Sequence, residues 1–142
     1  MSSDRSAIGV VQASVYQYLH ADTTLMALAP VFDQVPQGQP YPYLEITDLV
    51  ETLDDTIGEQ GRSITVTISA WDQTPGYKLL EQILDNLIRL LDEGLIPTVS
   101  GSGWTIWNNI YVRGEVSKLP DGITRQVMTE TQIMVTKDDL SE

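Results

Sequence analysis

Residues 62–94, RSITVTISAWDQTPGYKLLEQILDNLIRLLDEG, place a strand, a tight turn and the longest helix of the chain in direct succession. From Ser63 the pattern alternates without a slip as far as Ala70. Ile64, Val66, Ile68 and Ala70 fall on one face, and Ser63, Thr65, Thr67 and Ser69 on the other. A period of two in β-branched residues is the mark of a strand with one face buried. Trp71 and Asp72 close it, and Gln73-Thr74-Pro75-Gly76 turns the chain. Thr74 is expected as N-cap, with Pro75 at the first helical position, where its missing N–H costs nothing. From Tyr77 the period changes. Leu79, Leu80, Ile83, Leu84, Leu87, Ile88 and Leu91 recur at helical spacing, opposite Lys78, Glu81, Asp85, Arg89 and Asp92. Gly94 supplies the stop. An apolar arc this wide belongs to a helix lying on a sheet, so Ile64, Val66, Ile68, Leu80, Ile83, Leu84 and Leu87 are expected to share one core.

Upstream, residues 7–20 form an amphipathic helix with a narrow stripe of Ile8, Val11, Val15, Tyr18 and Leu19, and with Gln12, Ser14 and Gln17 off it. Asp22 reads as the N-cap of a short second helix carrying Leu25, Met26 and Leu28 and stopped near Pro30. Residues 31–35 suit a brief edge strand. Residues 36–42 hold three prolines and are neither helix nor central strand. Residues 43–53 are extended, with Leu44, Ile46 and Val50 on one parity and Asp48 interrupting. Residues 51–61 read as a long mobile hairpin loop carrying Glu51, Asp54, Asp55 and Glu59.

Downstream of the long helix, residues 95–103 are a turn-rich connector. Residues 104–116 form a strand with Trp104, Ile106, Ile110 and Val112 on one face, and with Thr105, Asn109, Arg113 and Glu115 mostly on the other. Leu119-Pro120-Asp121-Gly122 suits a type I turn. The chain then returns over residues 123–135 as the last strand of a hairpin, and residues 137–142 are a polar tail. The whole, residues 1–142, is one α+β domain: an antiparallel β-sheet with a long helix and an N-terminal helix packed on it.

Charge narrows the function classes. The formal net charge is −12, and residues 6–61 contain no Lys or Arg against eight acids. Proteins that grip nucleic acid neutralise phosphates with cations, and this chain lacks a dense basic face. There is no cysteine, hence no disulfide, thiol nucleophile or thiolate metal site. No apolar run approaches a membrane span, and the first residues lack signal-peptide character, so synthesis in the cytoplasm is expected.

Catalytic and cofactor patterns are not found. The single histidine, His20, ends the first helix, and its spacing to Ser14 or Asp22 favours no triad. The acids of residues 48–59 lack the pattern of a calcium loop, and Gly101-Ser102-Gly103 lacks the lysine of a phosphate loop. Trp71, Trp104 and Trp107 without interleaved Arg and Lys suit packing better than base stacking. Neither an enzyme nor a cofactor is expected.

Four segments in order carry a family resemblance. They are Tyr18-Leu19-His20-Ala21-Asp22 followed by Leu25-Met26-Ala27-Leu28, then Val31-Phe32-Asp33-Gln34-Val35-Pro36-Gln37-Gly38-Gln39-Pro40-Tyr41-Pro42-Tyr43-Leu44. The third is Ile64-Thr65-Val66-Thr67-Ile68-Ser69-Ala70-Trp71 before a long helix, and the fourth Asp121-Gly122-Ile123-Thr124-Arg125 before the last strand. Together they resemble the tail-completion, or tail-terminator, proteins of long-tailed bacteriophages and phage-derived particles. The resemblance implies a non-enzymatic virion protein: a hexameric homo-oligomer ring that caps the tail tube and docks to the head-side connector or stopper. DNA would pass through its lumen without sequence-specific binding, and no membrane would be involved. In that setting Glu51, Asp54, Asp55 and Glu59 are candidate lumen-facing residues. Trp107 and Tyr111, on the parity opposite Ile106 and Ile110, are candidate subunit-interface residues. Rival readings are another neck or tail-tube component, or a stand-alone small-ligand-binding α+β domain.

Overall fold

The computed structural model describes residues 5–53 and 60–138. Its elements are α1 (Ile8–His20), α2 (Thr23–Leu28), β1 (Val31–Phe32), β2 (Tyr43–Leu53), β3 (Gly61–Asp72), α3 (Lys78–Asp92), β4 (Trp104–Lys118) and β5 (Arg125–Lys137). The strands make one five-stranded sheet in the order β1-β2-β3-β5-β4. Every pairing is antiparallel except the two-residue β1–β2 contact. This is the α+β architecture that the alternating and helical periods imply.

β3 lies at the centre, and its apolar parity is fully buried: Ile64, Val66, Ile68 and Ala70 are each at 0 % exposure. Leu80, Ile83, Leu87 and Leu91 of α3 meet them, and α1 adds Val10, Val11, Val15 and Leu19 to the same cluster. Each fully buried aliphatic side chain contributes about 1.5–3 kcal/mol. Leu84 packs half-buried at the margin, over Gly114 of β4. A Cβ at Gly114 would overlap the Tyr111 hydroxyl and crowd the tip of Leu84, so those two side chains would have to shift to admit one there.

The start of α3 differs from expectation. The helix begins at Lys78 with Tyr77 as N-cap, not at Pro75 behind Thr74. Gly76, at φ +87°, is in the left-handed region and breaks any helix begun earlier. The Thr74 hydroxyl instead donates to the Asp72 carboxylate at 3.1 Å. Asp22 does cap α2, accepting from the Leu25 amide at 2.9 Å. It also accepts from Arg89 at 2.8 Å, and that bond holds its carboxyl below the usual aspartate range. Ser14, expected off the stripe, is buried because its hydroxyl accepts from the Val99 amide at 3.1 Å.

The last carbonyls of α3 have no partner within the helix and need one elsewhere. Asn109 of β4 supplies it. Its Nδ2 donates to Leu91 O at 2.6 Å and Gly94 O at 2.8 Å, while its Oδ1 accepts from the Ile96 amide at 3.0 Å. The Tyr18 hydroxyl donates to Leu90 O at 2.8 Å. The buried clamp from Asn109 ties the helix end to the outermost strand.

Three bulges reset which side chains face the core. One in β2 lies between Ile46 and Asp48; two in β4 lie between Ile106 and Asn108 and between Tyr111 and Arg113. A bulge sets two residues against one on the partner strand and flips the parity beyond it. Leu49 therefore packs against the core and Val50 is exposed, the reverse of the sequence expectation. In β4, Asn109 turns inward while Ile110 and Val112 are exposed.

Candidate assembly surfaces

The helices all pack on one face of the sheet, and among the described residues none lies on the other. The centre of that bare face is a hydrogen-bonded mat of hydroxyls and amides. Gln132 Nε2 donates to the Ser63 hydroxyl at 2.8 Å and Gln126 Nε2 to the Ser69 hydroxyl at 3.4 Å. Thr65 and Thr67 stand beside them on β3. Ser63 and Ser69 are buried by their neighbours without a covering layer.

Toward β4 the bare face becomes apolar. Trp107, Ile110 and Val112 are 45 %, 41 % and 51 % exposed, at or between the two bulges. Met128 and Met134, half-buried, pair across from Glu115 and Asn108. Of the two interface candidates, Trp107 is exposed as expected. Tyr111 is not its companion: it pairs with buried Thr131, reaches Gly114 beneath Leu84, and burial pushes its phenol pKa up. The bulge after Ile106 put the two rings on different parities, so period-two counting failed here.

Glu51 also moves. It belongs to β2, not to the loop, and its carboxylate accepts from the Ala7 amide at 3.0 Å and the Ser6 hydroxyl at 2.8 Å. It thus meets the free amides and positive dipole end of α1, with Arg62 at 3.7 Å on its other side. Asp54, Asp55 and Glu59 lie outside the described residues.

The histidine makes no catalytic set. His20 stacks on Tyr16 with centroids 5.5 Å apart, while Ser14 is bonded to Val99 and Asp22 to Leu25 and Arg89. An open cleft of about 280 Å³ is lined by Tyr77, Glu81 and Val116, with the Arg125 guanidinium 5.0 Å over the Tyr77 ring.

Comparison with known proteins places the chain in a family. The sequence matches the family "Tail completion protein gp17" over residues 13–135. The chain belongs to that family. As a tail-completion protein it is a structural component of a phage-type tail and neck. Solved structures share its fold. A chain of the virion of the native gene transfer agent (GTA) particle superposes with a TM-score of 0.76 at 22 % identity, covering 92 % of this chain and 98 % of that one. The bacteriophage SPP1 gp17 protein superposes with a TM-score of 0.57 at 21 % identity, covering 94 % and 92 %. No curated protein matches the sequence. On the apolar margin of this tail-completion protein, Ile110 and Val112 are exposed although period-two counting along β4 puts both on the core face.

Proposed function

We propose that the protein closes into a ring, hexameric in the family pattern, that ends the tail tube and joins it to the head-side connector, with DNA passing through the lumen. The observation that carries this is the tail-completion match over residues 13–135. The surface supports it. A sheet with one bare face and two open edges is a pairing hazard in a monomer, and ring closure covers such edges. Trp107 is the aromatic contact of that closure. Tyr111 braces β4 from the helix side.

In this ring Asp54, Asp55 and Glu59 face the DNA path, without Glu51, whose carboxylate is engaged by α1. A ring of carboxylates repels phosphate over about 8–10 Å, one screening length at ordinary salt. DNA then slides, whereas a basic lumen would bind it through counterion release.

Native mass measurement and electron cryomicroscopy of the purified protein, alone and with the tube subunit of the same particle, test the ring. A closed oligomer that stops at one layer is expected. A strict monomer in both conditions, or open stacks of rings, overturns it. Exchanging Asp54, Asp55 and Glu59 for Lys tests the lumen. Assembly should survive and DNA exit should slow, with the defect relieved by added salt; normal ejection at low salt removes these acids from the channel.

A further inference from the structure

Resting on the ring reading, we infer how the copies meet: the β2 edge of one copy seats antiparallel on the β4 edge of the next. The sheets then run on around the ring with their bare faces inward. The occupant of the apolar β4 margin is a second copy of this chain.

Strand direction comes first. β2 is antiparallel to β3, β3 to β5, and β5 to β4, so β2 and β4 point in opposite directions within one chain. Rotation about an axis along the strands preserves direction. The β2 of the next copy therefore arrives antiparallel to β4, the better-bonded pairing. Both edges are open to it along part of their length, outside the β1 pairing on β2 and the Thr98 hydroxyl that accepts from the Ile106 amide on β4. β1 pairs only with Leu44 and Glu45, which leaves β2 from Ile46 onward without a neighbour on that side, and β4 is the last strand of the sheet.

The rows of the sheet supply the complementarity. The register runs level from Asp48 through Thr67 and Glu130 to Arg113, and from Val50 through Thr65 and Gln132 to Ile110. A rotation that closes a ring keeps each row at its own height. Asp48 of one copy then meets Arg113 of the next, and exposed Val50 meets exposed Ile110. Arg113 lies 3.3 Å from Glu130 and 3.4 Å from Glu115, contacts that leave guanidinium donors to spare. Glu45 falls level with Glu115, but β1 pairs with Glu45 through Phe32 and stands between them, so the contact runs along β2 from Ile46 onward.

Charge disfavours the symmetric alternatives. Two β2 edges face to face would bring together halves with eight acids and no Lys or Arg in residues 6–61. Two β4 edges would close as a pair about a two-fold axis and leave both β2 edges bare. The heterologous contact also defines the lumen wall. Arg113 is the only Lys or Arg of the four long strands whose register puts it on the bare face, and two carboxylates already hold it. Such a wall offers phosphate no uncompensated cation.

The natural chain has no cysteine, so single thiols report the contact cleanly. Full-length Val50→Cys and Ile110→Cys proteins of different tag mass are treated with a short bis-maleimide, separately and mixed. The expected result is a crosslink in the mixture only, and a ladder ending at the ring mass for the chain carrying both substitutions. Self-crosslinking of Ile110→Cys alone means a symmetric β4 contact and overturns the inference. A ring by native mass with no crosslink in the mixture also overturns it while leaving the ring intact. A strict monomer throughout, tube subunit included, fails the ring itself and this contact with it. As a second readout, Asp48→Lys or Arg113→Glu alone should weaken association roughly ten-fold, and the two together in one chain should restore most of it. Additive losses without rescue count against the pairing, and melting curves of each variant exclude unfolding as the cause.

Discussion

On the helix-covered face of β3, Ile64, Val66 and Ile68 are fully buried among Ile83, Leu87 and the other side chains of one cluster. On the opposite face Thr65 and Thr67 meet no helix among the described residues. The same strand therefore does two jobs on alternate residues. Burial of apolar area, the main favourable term in folding, is concentrated on one face. The other keeps its polar groups satisfied sideways, through Gln126 and Gln132, and carries exposed apolar residues toward β4. The lesson is a separation: substitutions on the covered face should change stability, and those at the bare margin should change assembly while leaving the monomer folded.

The hardest way to break that comparison is Ile83→Ala. Ile83 has no exposed surface, and truncating it should cost about 2–5 kcal/mol in urea unfolding, with the spread set by how far the site collapses. A loss below about 0.5 kcal/mol, the scale of neutral surface changes, would mean that α3 does not share the core of β3. Next in size is Asn109→Ala. It removes the partners of two carbonyls and one amide at the buried end of α3, and stranded groups of this kind cost about 1–3 kcal/mol each before relaxation. A net loss of about 2–3 kcal/mol is expected, with faster hydrogen exchange at the Ile96 amide. Unchanged exchange there would show that the clamp is not what closes the helix end.

How much of this was legible in the sequence differs between the faces for a physical reason. The covered face is written in local periodicity. β3 alternates and α3 repeats at helical spacing, so the core of Ile64, Val66, Ile68, Leu80, Ile83 and Leu87 could be read directly. The bare margin depends on bulges, which exist only relative to a partner strand. Counting by twos along β4 put Ile110 and Val112 inside and Tyr111 outside, and all three are reversed beyond the bulge at Trp107. The engagement of Glu51 by α1 was hidden for a related reason, since its contact with Ala7 spans 44 residues and leaves no local trace. At the start of α3, Thr74-Pro75 is a good opening signal that Gly76 cancels through its left-handed backbone. The family, by contrast, was readable from the order of four weak segments, and the match over residues 13–135 bears it out.

A smaller effect, of opposite sign, sharpens the picture of the covered face. Thr131 of β5 is 1 % exposed on that face, and its hydroxyl finds no hydrogen-bond partner among the described residues. Thr131→Val removes the unsatisfied group at nearly constant volume, so a gain of about 1 kcal/mol is expected in the free energy of urea unfolding. A loss instead would mean that the hydroxyl is satisfied in solution and that this part of the face is wetter than its burial implies.

The smallest change in stability belongs to Trp107→Ser, and it is the one that separates folding from assembly. Trp107 is 45 % exposed at a bulge, where β4 has already left its regular register with β5. It fills no part of the buried cluster, so its removal should shift monomer stability by no more than about 0.5 kcal/mol. At an interface the same ring is a different object. Aromatic anchors near the centre of a contact commonly cost more than about 1–2 kcal/mol when truncated, a loss of roughly ten-fold or more in association. Unfolding of the dilute monomer and native mass at assembling concentration, measured on one preparation, should therefore disagree: unchanged in the first, depleted of ring in the second. If both change together, Trp107 is holding β4 in place and the two faces are not independent. If neither changes, the contact between copies lies away from this margin, and the apolar residues there serve something other than closure.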